Sequence, residues 1–209
     1  MKLIGEWTFA VMRQGAGMRL DHVIYGTADL DVAQKRIEAE LGLEVLPGGH
    51  HVGQGTQNRI VPLGDGYLEL MAIHDPEEAA TNPFGEILLE VLPVERLVGW
   101  AVLVDDIDAV AQRLGTPLLT VRRDTLGASV TGVREALREP TLPFFIGAND
   151  RGARPGEARD AGGLRWIEVA GDEQRLREWL GGADLAVRVV AGEPAVRAIG
   201  IGDREFRPA

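Results

Sequence analysis

The sequence contains no cysteine, a single serine and only four histidines in 209 residues. Without cysteine, disulfides, thiolate nucleophiles and thiolate zinc sites are excluded. The one serine, Ser129, has no nucleophile-elbow motif around it, so serine-hydrolase chemistry is not expected. Any chemistry in this chain therefore rests on a few histidines, on carboxylates and on arginines.

Positive charge is also scarce, because 22 Lys and Arg stand against 32 Asp and Glu and give a formal net charge of −10. No stripe concentrates the basic residues, so we expect neither nucleic acid nor an anionic membrane as a partner. No apolar run approaches the length of a membrane span, and residues 1–17 are too irregular for a signal peptide. These features lead us to expect a cytoplasmic protein.

The most regular stretch is Leu20–Ile73, whose pattern predicts a strand, a helix, a glycine-rich loop and two further strands. Leu20–Tyr25 is rich in β-branched and aromatic residues, as strands are. Asp29–Leu41 has apolar residues at helical spacing behind a capping aspartate. Arg59–Leu63 and Tyr67–Ile73 are joined by Gly-Asp-Gly, which favours a hairpin.

Alternation along the outer two strands places a histidine and a glutamate on the same side of the predicted sheet. The residues predicted to lie on that side are Leu20, His22, Ile24, Tyr67, Glu69 and Met71. The opposite side is apolar and suits packing against the helix. His22 and Glu69 are therefore predicted to lie on a concave sheet face and not in the core.

The opening unit recurs twice, so that three units span about residues 20–73, 96–147 and 163–203. Asp106 and Asp172 repeat the capping aspartate of the first unit. We predict an α+β fold of repeated βαβββ-type modules whose curved mixed sheets enclose a cleft. Residues 18–209 are expected to form a single domain, with 1–17 as an N-terminal extension that is not native to it.

The segment PGGHHVGQGTQNRIVPLGDGYLEL, with LDHV on the first strand, resembles the glyoxalase-like domain family of the vicinal oxygen chelate superfamily. The residues that fill the family pattern in this segment are His51, Gly53, Gly55, Thr56 and Asn58. The resemblance is dense over Leu20–Ile73 and loose beyond it. It implies a small oxygenated molecule as the ligand, and it is compatible with a homodimer.

The resemblance also implies a divalent metal ion, because sites in this superfamily draw a histidine and a carboxylate from each of two modules. The first unit supplies His22 and Glu69, whereas the later units carry Gly99 and Arg165 at the position of His22. His51, on the glycine-rich loop, would then be the third ligand. Two imidazoles and a carboxylate with open positions suit a divalent metal that keeps water or substrate oxygens.

Two hypotheses follow from the resemblance. In the first, the metal polarises a substrate oxygen while His51 or Glu69 moves a proton, in isomerase, lyase or dioxygenase-type chemistry. In the second, the same cleft binds and sequesters a small molecule without a metal. Candidate substrate-binding residues are Asn58, Arg59, Arg165 and Arg197.

We predict that a chain starting at Met18 is as stable as one starting at Met1, because the family-like module begins at Met18. Thermal unfolding of the two chains measures this directly. A fall in midpoint of more than about 4–8 °C, the effect of ~1 kcal/mol in a small domain, would show instead that Trp7 or Phe9 packs on the core.

Overall fold

The computed structural model describes residues 17–92, 94–123, 126–147 and 154–208, so the predicted extension lies outside the described residues except for Gly17. In these ranges the chain forms twelve strands and six α-helices. The strands are β1 (Met18–Gly26), β2 (Leu46–His51), β3 (Thr56–Pro62), β4 (Tyr67–Ile73), β5 (Arg96–Val104), β6 (Leu119–Arg123), β7 (Leu126–Thr131), β8 (Phe144–Gly147), β9 (Leu164–Ala170), β10 (Val187–Val190), β11 (Ala195–Ile201) and β12 (Arg204–Phe206). The helices are α1 (Leu30–Leu41), α2 (Pro76–Ala79), α3 (Pro83–Val91), α4 (Ile107–Leu114), α5 (Val133–Arg138) and α6 (Glu173–Trp179).

Eight strands close a barrel in the order β1-β4-β3-β2-β6-β7-β8-β5. The first unit supplies one half and the second unit the other, and they join where β1 pairs with β5 and β2 with β6, both antiparallel. The third unit forms a separate four-stranded sheet in the order β10-β9-β11-β12. The α+β class and the curved mixed sheets are thus confirmed, although the third unit does not contribute strands to the barrel.

The outer core joins the barrel to the second sheet. Val23 and Tyr25 on β1 pack in one buried cluster with Ile37 of α1, as the alternation predicted. The same cluster continues through Ile167 on β9 and Ile199 on β11, both fully buried. The third unit therefore shares its apolar core with the other two.

The helices that follow β1, β5 and β9 begin at the predicted aspartates. Asp29, Asp106 and Asp172 each accept hydrogen bonds from backbone N–H groups of the first helical turn. Such caps satisfy donors that would otherwise lack a partner. No helix in the described part of the chain is long and apolar enough to cross a membrane.

The pairing of β1 with β5 contains a bulge that the sequence analysis did not foresee. Leu20 lies opposite Val102 and His22 opposite Ala101, so Asp21 is an extra residue on β1. Leu20 consequently packs in the outer core, while His22 faces the barrel interior. The prediction that Leu20 shares a face with His22 was wrong for this reason.

The inner core fills part of the barrel interior. Ile24, Met71 and Phe144 cluster there with apolar residues of α3 and α5. On β5, a Cβ added at Gly99 would lie 3.5 Å from Leu137 of α5, so this helix covers the inner face of the second unit. Helix α5 and strands β2 and β7 were not predicted.

We predict that Ile199→Ala in the second sheet destabilises the whole chain by about 2–5 kcal/mol, the usual result of truncating a buried isoleucine. Because the core is shared, urea unfolding followed by far-UV circular dichroism and by tryptophan fluorescence should show one transition. Val190→Ala is the matched control, since Val190 on the same sheet is 39% exposed. Two separate transitions would contradict a shared core.

Candidate functional site

Four nearly buried polar side chains converge inside the barrel from four neighbouring strands. They are His22 on β1, Glu69 on β4, Asn58 on β3 and His51 on β2, and each exposes only 4–6% of its surface. Burying polar groups is costly unless they are hydrogen-bonded. In the described residues, every buried side-chain nitrogen and oxygen does have a partner.

Glu69 lies at the centre of this cluster. Asn58 Nδ2 donates a hydrogen bond to its Oε1. His51 Nε2 lies 3.7 Å from Oε1, and His22 Nε2 lies 3.6 Å from Oε2. Both separations are too long for a direct hydrogen bond. The carboxylate is therefore flanked by two imidazoles, with a gap between Oε2 and His22.

Asp21 fixes the orientation of the His22 ring. His22 Nδ1 donates to Asp21 Oδ2 at 2.7 Å, so Nε2 faces Glu69 and is an acceptor when the ring is neutral. In a regular strand neighbouring side chains point to opposite faces, and only the bulge lets Asp21 reach the ring. Tyr67 stacks on the same ring with centroids 4.6 Å apart, and Phe144 meets it edge-on at 5.3 Å.

Asp21 is itself paired with Arg154, which lies between the second and third units. Burial alone would raise the pKa of Asp21, but the hydrogen bond with His22 and the charges of His22, Arg154 and Arg19 outweigh burial and hold that pKa below its usual value. Asp21 is therefore an ionised acceptor at neutral pH. Sequence reasoning missed both Asp21 and Arg154; the aspartate directly before His22 was the available signal.

The ring of His51 is held at both nitrogens. Its Nδ1 lies 2.8 Å from Thr56 Oγ1, and its Nε2 lies 3.3 Å from Asn58 Nδ2. The amide of Asn58 thus sits between His51 and Glu69. A Cβ at Gly48 would lie 2.1 Å from Asn58 Oδ1, so only glycine lets β2 pass this close to the amide.

The glycine-rich turn after His51 is anchored by helix α2. The N–H groups of Gly53 and Gly55 donate to the two carboxylate oxygens of Glu78, each at 2.9 Å. Gly55 has a φ of +65° and contacts the α2 backbone so closely that a Cβ would lie 2.2 Å from Asp75 O. This anchor fixes the end of β2, and with it the position of His51.

The arginines predicted to bind substrate lie outside the barrel. Arg59 alternates with Asn58 on β3, so it points toward α1 and donates to Gln34 and Asp31. Arg165 and Arg197 are exposed on the second sheet. The structure therefore brings His22, His51, Asn58 and Glu69 together but does not bring these arginines to them.

The three predicted metal ligands converge without forming a three-ligand site. Ligands about 2.0–2.2 Å from one tetrahedral ion lie roughly 3.4 Å apart, which His22 and Glu69 nearly match. His51 Nε2 and Glu69 Oε1, however, both face the N–H₂ group of Asn58. Across the described ranges, no set of three or more His, Asp and Glu side chains is placed to hold a metal ion.

A cavity of about 290 Å³ lies next to the cluster. Asp21 and Tyr67, the two residues that contact the His22 ring from outside the interior core, line it together with Arg19 and Arg154. The polar interior is thus separated from this cavity by a single layer of side chains.

The comparison with known families agrees with this geometry. A model described as a glyoxalase-like domain matches residues 20–183. This chain belongs to the glyoxalase-like domain family. The family match, with which the barrel of two βαβββ halves is consistent, supports the vicinal oxygen chelate superfamily, as the sequence resemblance predicted. No curated protein matches the glyoxalase-like chain in sequence.

Solved structures share the fold of this glyoxalase-like protein. A hypothetical protein from Staphylococcus aureus is 15% identical with a TM-score of 0.67, and the match covers 91% of this chain and 98% of that one. A Streptomyces coelicolor methylmalonyl-CoA epimerase variant in complex with 2-nitronate-propionyl-CoA is 23% identical with a TM-score of 0.50, covering 66% and 99%. At these identities the likeness concerns the fold alone.

We predict that Asp21→Asn lowers the free energy of unfolding at pH 7 by about 1.5–3 kcal/mol, because a hydrogen bond to a charged group is lost. A carboxyl whose pKa is lowered by folding stabilises the protein above its unfolded pKa, and this stabilisation is lost as pH falls through the folded pKa. The difference between wild type and variant should therefore shrink below about pH 4. Urea unfolding at pH 7 and at pH 3 measures it.

The matched control for this prediction is Asp31→Asn, because Asp31 pairs with Arg59 on the exposed surface. Exposed ion pairs contribute little, so this variant should be close to wild type at both pH values. A constant gap between wild type and Asp21→Asn at all pH values would show that the carboxyl charge is not what stabilises the site.

Proposed function

We propose that this glyoxalase-like protein binds a small carbonyl compound beside His22 and Glu69, and that His22 removes a proton from the carbon next to the carbonyl group. One observation carries the proposal: Nε2 of His22, an acceptor oriented by Asp21, faces a second acceptor, Glu69 Oε2, at 3.6 Å. Two acceptors side by side are unfavourable unless a hydrogen or a positive charge lies near both. The gap suits a proton on His22 itself or a ligand group that brings a hydrogen.

Proton transfer to His22 is favoured by what surrounds the ring. When Nε2 takes the proton, the imidazolium lies between two buried carboxylates, Asp21 and Glu69, which stabilise its charge. The electron pair of the broken C–H bond passes to the substrate's carbon–oxygen unit as an enolate, next to that imidazolium. Return of the proton to the same carbon from its other face gives an epimerisation. In an α-hydroxy carbonyl compound, delivery of the proton to the former carbonyl carbon, with a proton moved between the two oxygens, gives an isomerisation, and loss of a leaving group from the next carbon gives a lyase reaction.

From the sequence, His51 and Glu69 were predicted to be the catalytic residues. We assign the base to His22 instead, because both ring nitrogens of His51 are engaged by Thr56 and Asn58. In this proposal Glu69 stabilises the imidazolium. His51 and Asn58 hold Glu69 in place, and Asn58 also remains a candidate contact for the substrate.

A divalent ion held by His22, His51 and Glu69 is a second proposal. The burial of Glu69 favours it, since in the described residues this carboxylate contacts two imidazoles and an amide but no guanidinium or ammonium group. It requires that Asn58 turn away from His51 and Glu69. We assign no reaction step to the ion.

A third proposal is binding without turnover. It is favoured by the apolar character of the second unit, where Gly99 and Phe144 occupy the positions of His22 and Glu69 and α5 covers the inner face. The cytoplasmic location and the homodimer also stay predictions for this chain.

We predict that the wild type exchanges the C1 hydrogens of 1-hydroxy-2-butanone for deuterium in D₂O, measured by proton NMR. A general base contributes about 10²–10⁴-fold, so His22→Gln should slow the exchange by at least 100-fold. Glu69→Gln should slow it as well, whereas His74→Gln, which alters an exposed histidine, should leave it unchanged. Binding of the ketone without any exchange would favour sequestration instead.

Removal of metal separates the first two proposals. Exchange should persist after dialysis against a chelator if His22 acts as a base without an ion. If instead the chelator abolishes exchange, the proton-transfer proposal fails in its metal-free form. A melting temperature that rises with Mn²⁺, Ni²⁺ or Zn²⁺ in the wild type and in His74→Ala, but not in His22→Ala or Glu69→Ala, would establish the metal site.

A further inference from the structure

The barrel interior has a polar half and an apolar half. The polar cluster lies on β1 to β4, and the described inward-facing residues of β6 to β8 are mainly apolar. They are Leu119, Val121, Ala128, Val130, Phe144 and Ile146. Strand pairing decides the face on which these side chains lie, because paired residues of antiparallel strands share a face. Leu119 lies opposite Val130, and Val130 lies opposite Ile146.

Part of this apolar wall is in contact with solvent. Leu119 is 41% exposed, although its partner Val130 is 3% exposed and belongs to the inner core. Val121 and Ile146 are half-buried against the same core. Because Leu119 is the first residue of β6, its exposure shows that water reaches this face of the sheet at the end of the strand.

The apolar wall and the buried polar cluster lie in the same barrel. A ligand that contacts both must have a polar part and an apolar part. We infer that the ligand of this protein is an amphipathic carbonyl compound, with its oxygen-bearing head at His22 and Glu69 and an alkyl or aryl body of several carbons on Leu119, Val121 and Ile146. This inference rests on the proposed function for the head group and adds the chemical class of the body. Sugars and short phosphorylated or hydrophilic acids do not match such a wall.

The six side chains that form this wall are all uncharged. The arginines that the sequence offered for an anionic substrate group, Arg59, Arg165 and Arg197, all point away from the interior. An anionic tail would therefore lose its hydration without gaining a partner among these six side chains.

The test uses 1-hydroxy-2-alkanones of four to eight carbons, with dissociation constants measured by NMR titration. Burying one methylene contributes about 0.8 kcal/mol, or a factor of about four in affinity. The wild type should therefore bind each longer member about fourfold more tightly until the wall is covered. Leu119→Gln should weaken the eight-carbon probe at least tenfold and the four-carbon probe less than twofold, and the isosteric Val121→Thr should act in the same direction.

Leu118→Gln is the matched control, because Leu118 is 44% exposed and immediately precedes β6. It should bind every probe as the wild type does. Affinity that stays constant or falls with chain length would overturn the inference, and so would equal effects of Leu118→Gln and Leu119→Gln or no binding of any probe. The deuterium exchange is read separately: chain-length dependence without exchange keeps this inference and removes only the proton-transfer proposal.

Discussion

The polar interior of the barrel depends on the extra residue in β1. The bulge turns Asp21 toward the ring of His22, whereas a regular strand would direct this carboxylate into the outer core beside Val23. A charge buried there without a partner would destabilise the fold. In its actual position, Asp21 is matched by Arg154 and gives His22 one defined orientation. A single irregularity in strand pairing thus serves both stability and the geometry of the site.

Features with a local period could be predicted from the sequence, and features set by distant pairing could not. The helix α1, the inward direction of Glu69 and its place on β4 all follow from alternation and capping in one short stretch. The bulge at Asp21 depends on the register against β5, far along the chain. The partners of Arg59 also depend on contacts beyond its own strand, because it donates to Gln34 and Asp31 on α1.

The second unit explains why only half of the expected constellation exists. Gly99 and Phe144 stand where a second histidine and carboxylate would be needed, and α5 packs its Leu137 against Gly99. With only six residues, α5 gives too short an apolar pattern for sequence reasoning to detect. The polar cluster of the interior therefore lies on β1 to β4.

The remaining charge of Glu69 links the two halves. Asp21 and Arg154 offset each other, while Glu69 receives one amide hydrogen bond and, in the described residues, contacts two imidazoles but no guanidinium or ammonium group. A buried carboxylate in this state gains most from a neighbour that brings a hydrogen or a positive charge. An uncharged ligand body on the apolar wall would exclude water from around Glu69 and strengthen the electrostatic interactions of its carboxylate. A ligand body on the apolar half would thereby act on the electrostatics of the polar cluster in the other half.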